Sequence, residues 1–466
     1  MTRDSLVWGI EAIASRFAPH FAAVGTTGSG KTLTLNALMR SALMPSPEGL
    51  LRARALVHDH KTELYPTLRG IGVGEEDIHV LHSFDERSSA WNLAGDVRSR
   101  ADAAQVAKAL IPTPSEQRNL FFYEASRNIL REVIYSLHSH APGEWLLHDL
   151  VEIALDDEHL ARALKSTPEG QRLFRRVFGS GNPRTASDVC QTIETKLQPL
   201  ATAALLWTHA SRSVTLEEWV ASRSVLLLPH RPEYSESVTP LNRALLTLLC
   251  SKLCSRANTT TDPTWLFLDE FRALGAFEGF DEVMLTGRAK GARVAIGFQD
   301  IQGLRHTWGR ERADEILEQC GNVALLRMNS PESIEWAYRY VGETEYDEYS
   351  ESWGRAGNQS SSTTTHRVAS RATIMRHQFR TLPLAGPQHG VPGWFYIPGF
   401  PGQFLTNPSW GDIVNFLPQD SSDPAFLARP LREQEAPLIS EARLAELGLQ
   451  KLVGRAGGLV NPFEPA

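Results

Sequence analysis

The sequence predicts an α/β fold with a central, mostly parallel sheet, and three observations carry that expectation. Short, nearly continuous apolar runs recur at HFAAV, ARALV, IHVL, SVLLLP, WLFLDE, RVAIGFQ and NVALLRM. Stretches with helical periodicity separate most of them. A glycine-rich turn, GTTGSGKT, joins the first run to the first such stretch. Runs that stay apolar without alternating belong to strands covered on both faces, as in parallel sheets. Strands alternating with helices build the α/β architecture.

Taken in order, His20 to Val24 is a strand and LTLNALMRSAL a helix, which Pro45 and Pro47 end. ARALVHDHK is the second strand. From Ala101 to Ala221 the pattern is helical. Glu116 to His140 places Leu120, Phe121, Ala125, Ile129, Val133, Ile134 and Leu137 at three- and four-residue steps. Thr185 to Leu206 repeats that pattern. Pro142-Gly143, Pro168 and Gly179-Gly181-Pro183 punctuate the interval. A simple strand-to-strand crossover needs only about 10–12 residues, so the interval reads as an inserted all-α domain. Helices covering the same sheet are the alternative. Further on, Gly354 to Ser370 is polar and reads as a flexible loop. Pro383 to Pro408, with Trp394, Phe395, Tyr396 and Phe400, reads as a hairpin returning to the sheet. Glu433 to Val453 includes a short amphipathic helix, followed by an irregular tail.

Composition narrows the function. The 466 residues fill two or three domains of about 100–200 residues each. With 42% hydrophobic and 22% charged residues the chain is globular. A net charge of −7 excludes a globally basic nucleic-acid binder, so any such contact is a local strip. There are 39 arginines to 8 lysines. Arginine suits phosphate and carboxylate forks, and genome base composition would give the same bias. Four cysteines, Cys190, Cys250, Cys254 and Cys320, are too few for a disulfide scaffold. No apolar run approaches the ~18 residues of a membrane span, and the N-terminus lacks an apolar signal core. A reducing, cytoplasmic setting is expected.

Gly25-Thr26-Thr27-Gly28-Ser29-Gly30-Lys31-Thr32 fits G-x-x-x-x-G-K-[ST] in full, with a strand before it and a helix after it. Glycines let backbone wrap a phosphate without Cβ clashes, and the N–H groups opening the helix point at the anion. Lys31 would reach the β- and γ-phosphates of ATP, and Thr32 would place its hydroxyl on Mg²⁺. The strand Trp265-Leu266-Phe267-Leu268 ends in Asp269 and Glu270. Asp269 would hold Mg²⁺, and Glu270 would polarise the attacking water as general base. Gln299 ends another strand, where it could sense the γ-phosphate or orient water, or make a plain loop hydrogen bond. Arg288 could reach a neighbouring subunit as an arginine finger, or simply be an exposed arginine. Asp59, His60 and Lys61 close the second strand, open equally to a site role and to capping. Cys250 and Cys254 make a poor zinc site and read as packing. Arg305, His306, Trp308, Arg310 and Arg312 mix cations and an aromatic as candidate nucleic-acid contacts, or form an exposed helix face.

These segments together resemble the type IV coupling proteins, the TraD/TraG-type conjugative DNA transfer ATPases allied to the FtsK and HerA pumps. VHDHKTEL is similar to the family's D-P-K-G-E-L, and SFDERSSAWNL to its F-[ND]-P-x-S-x-x-W-N-P. GRAKGARVAIGFQDIQGL and NVALLRMNSPESIEWAYRYVGE complete the likeness, over about residues 8–410. The resemblance implies a RecA-like P-loop NTPase, ATP with Mg²⁺, a homo-hexameric ring and DNA through its centre. It also implies that Gln299 is the glutamine after the acidic strand and Arg288 the trans-acting arginine. The expected organisation is a RecA-like domain at 1–95 and 221–430, an inserted all-α domain at 96–220, and a C-terminal helix and tail at 431–466. A relaxase or secretion-channel proteins are the expected partners. The family's N-terminal transmembrane helices have no counterpart before the P-loop, so the form expected lacks them and is cytoplasmic, reaching the membrane through a partner. The alternatives to a DNA translocase are an ATP-switched recruitment platform and a non-conjugative HerA/FtsK-like pump.

Overall fold

The computed structural model describes residues 5–449 apart from 10, 15–19, 114–119, 180–182, 260, 357–358, 399–403, 407–408, 418 and 431–438. Of the segments singled out above, Glu116 to Asn119, Gly181, Phe400, Glu433 and Val453 lie outside the described residues. The chain divides into two compact units, Met1–Leu38 with Ile296–Leu417, and Met39–Ala295 with Pro418–Ala466.

In the first unit the strand His20–Val24 is buried at every position, as its unbroken apolar run requires. It pairs in parallel with Asn322–Leu325, Ala22 opposite Val323. Gly393–Tyr396 then joins antiparallel to Asn322–Leu325, and Phe404–Thr406 antiparallel to Gly393–Tyr396, giving the returning hairpin expected there. An N-terminal hairpin, Ser5–Trp8 with Glu11–Ala14, brings Trp8 edge-on to Phe21 at 5.0 Å and to Phe395 at 5.8 Å between ring centroids. Edge-to-face pairs of this kind add to the area they bury.

In the second unit four strands run parallel. Thr264–Leu268 pairs with Arg54–Asp59, that strand with Val225–Pro229, and that with Ile78–Val80. The strand Ala292–Phe298 begins in this unit and ends in the other. The α/β class with a mostly parallel sheet is therefore as the sequence predicts. Arg54 is buried within its strand, with its guanidinium on Asp262 at 2.7 Å, Thr264 Oγ1 at 3.0 Å and the Ser222 carbonyl at 2.8 Å. A buried guanidinium needs that full set of acceptors.

From Arg100 to Thr208 the described residues hold helices and no strand. Ser99 caps Arg100–Leu110 by accepting from the Asp102 N–H, and Thr167 caps Pro168–Val177, with proline at the first helical position. Leu120–His140 buries Ala125, Ile129, Val133, Ile134 and Leu137 of the expected stripe, whereas Phe121, in its first turn, is exposed. Pro183–Leu197 and Ala201–Thr208 replace the single helix expected from Thr185 to Leu206, and a 3₁₀ turn carrying Pro199 stands between them. Among the described residues no helix is long and apolar enough to cross a membrane.

One segment departs from expectation. Gly354 to Ser370, expected as a flexible loop, belongs to a long antiparallel ribbon, Glu343–Ala356 with Gln359–Ala372. Tyr349 faces His366 across it, ring centroids 4.8 Å apart, and Glu348 faces Arg367 in an ion pair. Both faces of the described ribbon are largely exposed, Tyr349, Trp353 and Val368 included. With no buried face the strands need no apolar alternation, so period-two patterning is absent.

Candidate nucleotide-binding site

The P-loop lies in the first unit. It leaves the buried strand His20–Val24 and enters the helix Lys31–Leu43. Its start is pinned by backbone: the Gly25 N–H donates to the Phe298 carbonyl at 3.3 Å and the Thr26 N–H to Arg327 at 2.8 Å. Gly28 and Gly30 hold φ of 76° and 99°, the region that favours glycine. A Cβ on Gly30 would stand 2.6 Å from Val391 Cγ1, and one on Gly25 2.8 Å from Leu326 Cβ. The cradle therefore has room for glycine alone at both positions. Lys31 is buried beneath it and donates to the Gly25 carbonyl at 2.6 Å and the Thr26 carbonyl at 3.3 Å. Ser29 is buried, Thr32 half-buried, and Thr27 and Gly28 are exposed at the tip. The structure thus brings all eight P-loop residues into one turn. Gln299, in the same unit, follows the strand whose Phe298 carbonyl anchors Gly25 and is half-buried.

Asp269, Glu270 and Arg288 lie in the second unit. Asp269 and Glu270 follow directly on the buried strand Thr264–Leu268. Asp269 Oδ1 accepts from the Glu270 N–H at 3.1 Å. Glu270 has a left-handed backbone, φ 52° and ψ 60°, unusual for a residue with a side chain. Its side chain is 8% exposed, and Arg272 Nε stands 3.1 Å from Oε1. Arg288 is exposed on the 3₁₀ turn Gly287–Lys290.

Sequence reasoning missed His58. It lies in register with Leu268 on the neighbouring strand and is fully buried. Its Nδ1 donates to the Asp269 carbonyl at 3.0 Å, which fixes the proton on Nδ1 because a carbonyl only accepts. Burial, with the charges of His60 and His230 adding, lowers its pKa to about 3 despite that bond. His60 and His230 stack with centroids 5.1 Å apart. Asp59 resolves to capping: its carboxylate accepts from the Glu63 N–H at 3.0 Å and the Leu64 N–H at 2.7 Å, opening the helix Leu64–Ile71. Burial raises its pKa to about 6.

His58 is neutral when folded, while an unfolded histidine takes up a proton near pH 6.5. Its contribution to stability is thus present above pH 6.5 and lost as pH falls toward 3. Asp59 acts oppositely: its contribution is present below its unfolded value near 3.8 and lost as pH rises through 6. We expect His58→Gln, whose amide can still donate to Asp269, to cost less stability at pH 5 than at pH 7. The difference is on the order of 2 kcal/mol, read from urea unfolding midpoints. A pH-independent cost would show that His58 is not held neutral.

The donor set suits a magnesium ion held mainly by phosphates. Among the described residues no group of three His, Cys, Asp or Glu side chains is placed to hold a metal. Mg²⁺ on a nucleotide takes only one or two protein ligands beside phosphate and water, and Thr32 and Asp269 are of the right kind. Cys250 is buried and Cys254 half-buried on the helix Ser235–Ser255, consistent with packing. The cluster of Arg305, His306, Trp308, Arg310 and Arg312 is not an open face throughout. Trp308 is buried, Arg312 lies over its ring at 5.2 Å, and Arg305 is paired with Asp314 at 2.6 Å.

The model of the family described as the type IV secretion-system coupling protein DNA-binding domain matches residues 6–391. The chain belongs to this family. As a coupling-protein chain it is 27% identical, over 146 residues, to a probable conjugal transfer protein TraG of Sinorhizobium fredii. That match covers 31% of this chain and 22% of the relative's length. Its fold is similar to the bacterial conjugative coupling protein TrwB in its unbound form, with a TM-score of 0.72, 17% identity and 92% of each chain covered. TrwB in complex with ADP and Mg²⁺ gives a TM-score of 0.70 and 16% identity, covering 91% of this chain and 92% of that one. At these identities the likeness speaks to the fold.

Proposed function

We propose that this chain is an ATP-hydrolysing coupling ATPase that moves DNA in conjugative transfer. The observation that carries the reading is the cradle: a complete P-loop at Gly25–Thr32, closed to any Cβ at Gly25 and Gly30, with Lys31 beneath it. Family membership and the nucleotide complexes of TrwB support it.

In this reading the amides of Gly28 to Thr32 grip the triphosphate and Lys31 turns from the loop carbonyls to the β- and γ-phosphates. Thr32 and Asp269 hold Mg²⁺, which when bound offsets charge on the phosphate oxygens. Glu270 takes the proton of the water that attacks the γ-phosphorus, as the bond to the β,γ-bridging oxygen breaks and ADP leaves. Gln299 orients that water, and Arg288 of an adjoining subunit steadies the developing charge. The protein works as a homo-hexamer, and DNA passes through it. The helical segment 96–220 is the all-α domain, and 1–95 with 221–430 the RecA-like one. The chain acts from the cytoplasm, with a relaxase or secretion-channel proteins as partners.

The direct test is Lys31→Ala. Hydrogen bonds to charged groups contribute about 1.5–3 kcal/mol, so ATP affinity should fall roughly 10- to 150-fold, measured with a fluorescent ATP analogue. Unchanged affinity would remove the P-loop assignment. A companion ATPase assay with and without DNA asks whether turnover is coupled: stimulation by DNA is expected, and indifference to it speaks for a passive platform.

A further inference from the structure

We propose that a cationic cavity in the first unit is a binding site for single-stranded DNA, resting on the reading above that this protein handles DNA. The cavity, of about 720 Å³, is walled by the helices Ile301–Trp308, Pro331–Val341 and Arg376–Thr381 and by the start of Arg310–Glu318. Arg305, Arg310, Arg339, Arg376, Arg380 and Trp336 line it. Five arginines stand against two glutamates, Glu332 and Glu335, in a chain whose net charge is −7. That concentration of positive charge in an acidic protein selects an anion.

The arginines divide into a fixed set and an available set. Glu335 holds Arg339 at 2.9 Å and Arg376 at 2.8 Å, and Arg376 also lies 3.6 Å over the Tyr338 ring. Arg305 is held by Asp314. These contacts set the guanidinium planes, which limits what binding must order. Arg310 and Arg380 make no ion pair among the described residues; Arg380 reaches only the Asn329 carbonyl, at 3.5 Å. They are the two whose charge is open to a phosphate.

Trp336 decides between classes of anion. It stacks on Tyr340 with centroids 5.5 Å apart and 29° between planes, and meets Phe298 edge-on. Its ring is thereby held rigid, and it remains half-buried at the cavity wall. A rigid aromatic beside cations is the arrangement on which unpaired bases stack while arginines take the backbone. Duplex bases offer no free face for this. A cavity within the roughly 300–1,000 Å³ range of small-ligand pockets admits a nucleotide or two, and not a duplex.

The test uses the full chain and a fluorescently labelled oligothymidylate, with anisotropy read across a salt series. Each phosphate contact contributes about −0.7 to the slope of log affinity against log salt for a single strand. Arg310→Ala combined with Arg380→Ala should therefore weaken binding and flatten the slope by about 1.4, while ATP binding stays as in wild type. Trp336→Ala should weaken binding roughly 5- to 150-fold, and Trp336→Phe should recover most of it. If wild type binds the oligonucleotide and the arginine pair changes neither affinity nor slope, the site is elsewhere and the DNA reading survives. If wild type binds no DNA, that reading itself fails. Displacement of the oligonucleotide by polyglutamate of equal charge, with Trp336→Ala indifferent, would overturn the proposal in favour of an acidic protein partner.

Discussion

Arg288→Ala should slow ATP turnover of the assembled protein by on the order of 10³–10⁵, the range for removing an arginine finger, and leave the unassembled chain unaffected. The side chain is exposed on the turn Gly287–Lys290 and makes no ion pair among the described residues. Half-buried Arg293 feels it: its pKa is lowered first by desolvation and then by the charge of Arg288. A cation with no acid of its own, beside a second cation, favours an anionic partner from outside. Mixing gives the decisive measurement. Arg288→Ala subunits combined with Lys31→Ala subunits, which carry an intact Arg288 but an impaired P-loop, should regain part of the turnover that neither has alone. No regain, or a normal rate for Arg288→Ala by itself, would return this residue to the ordinary surface.

Glu270→Gln should keep ATP binding and lose about 10²–10⁴ of the hydrolysis rate, the usual share of a general base. The substitution conserves shape, and gives up the ion pair with Arg272, whose Nε lies 3.1 Å from Oε1 in the native protein. It also removes the ability to take a proton. Single-turnover experiments separate the two effects: bound nucleotide measured by filtration should be unchanged, while release of phosphate should nearly stop. Normal turnover in this variant would move the base to another residue.

The parts of the molecule that were legible in the sequence are those where burial leaves no choice. His20–Val24, Arg54–Asp59, Val225–Pro229 and Thr264–Leu268 are covered on both faces, so each carries a continuous apolar run, with polar residues only toward its ends. The P-loop was legible because its glycines answer a steric demand that can be named atom by atom, Val391 against Gly30 and Leu326 against Gly25. The ribbon Glu343–Ala372 was not, since strands open to water on both sides carry no hydrophobic signature. Its threonines and aromatics were the remaining hint. The N-terminal hairpin went unread because each arm is four residues long. His58 was hidden for a different reason: its importance comes from register against Leu268, and pairing across 210 residues is invisible in a linear string. Asp59 was seen, but only its bonds to the Glu63 and Leu64 amides separate capping from a role at the site.

The left-handed backbone at Glu270 sets two pressures on one codon. Glycine would sit there at ease, and asparagine nearly so, whereas glutamate is held against its own conformational preference. A library sorted only by heat resistance should drift toward glycine at this position and come out sturdier and inert; one sorted by turnover should keep the acid and stay slightly less robust. At this one position, selection for robustness and selection for the proposed turnover would pull the sequence in opposite directions.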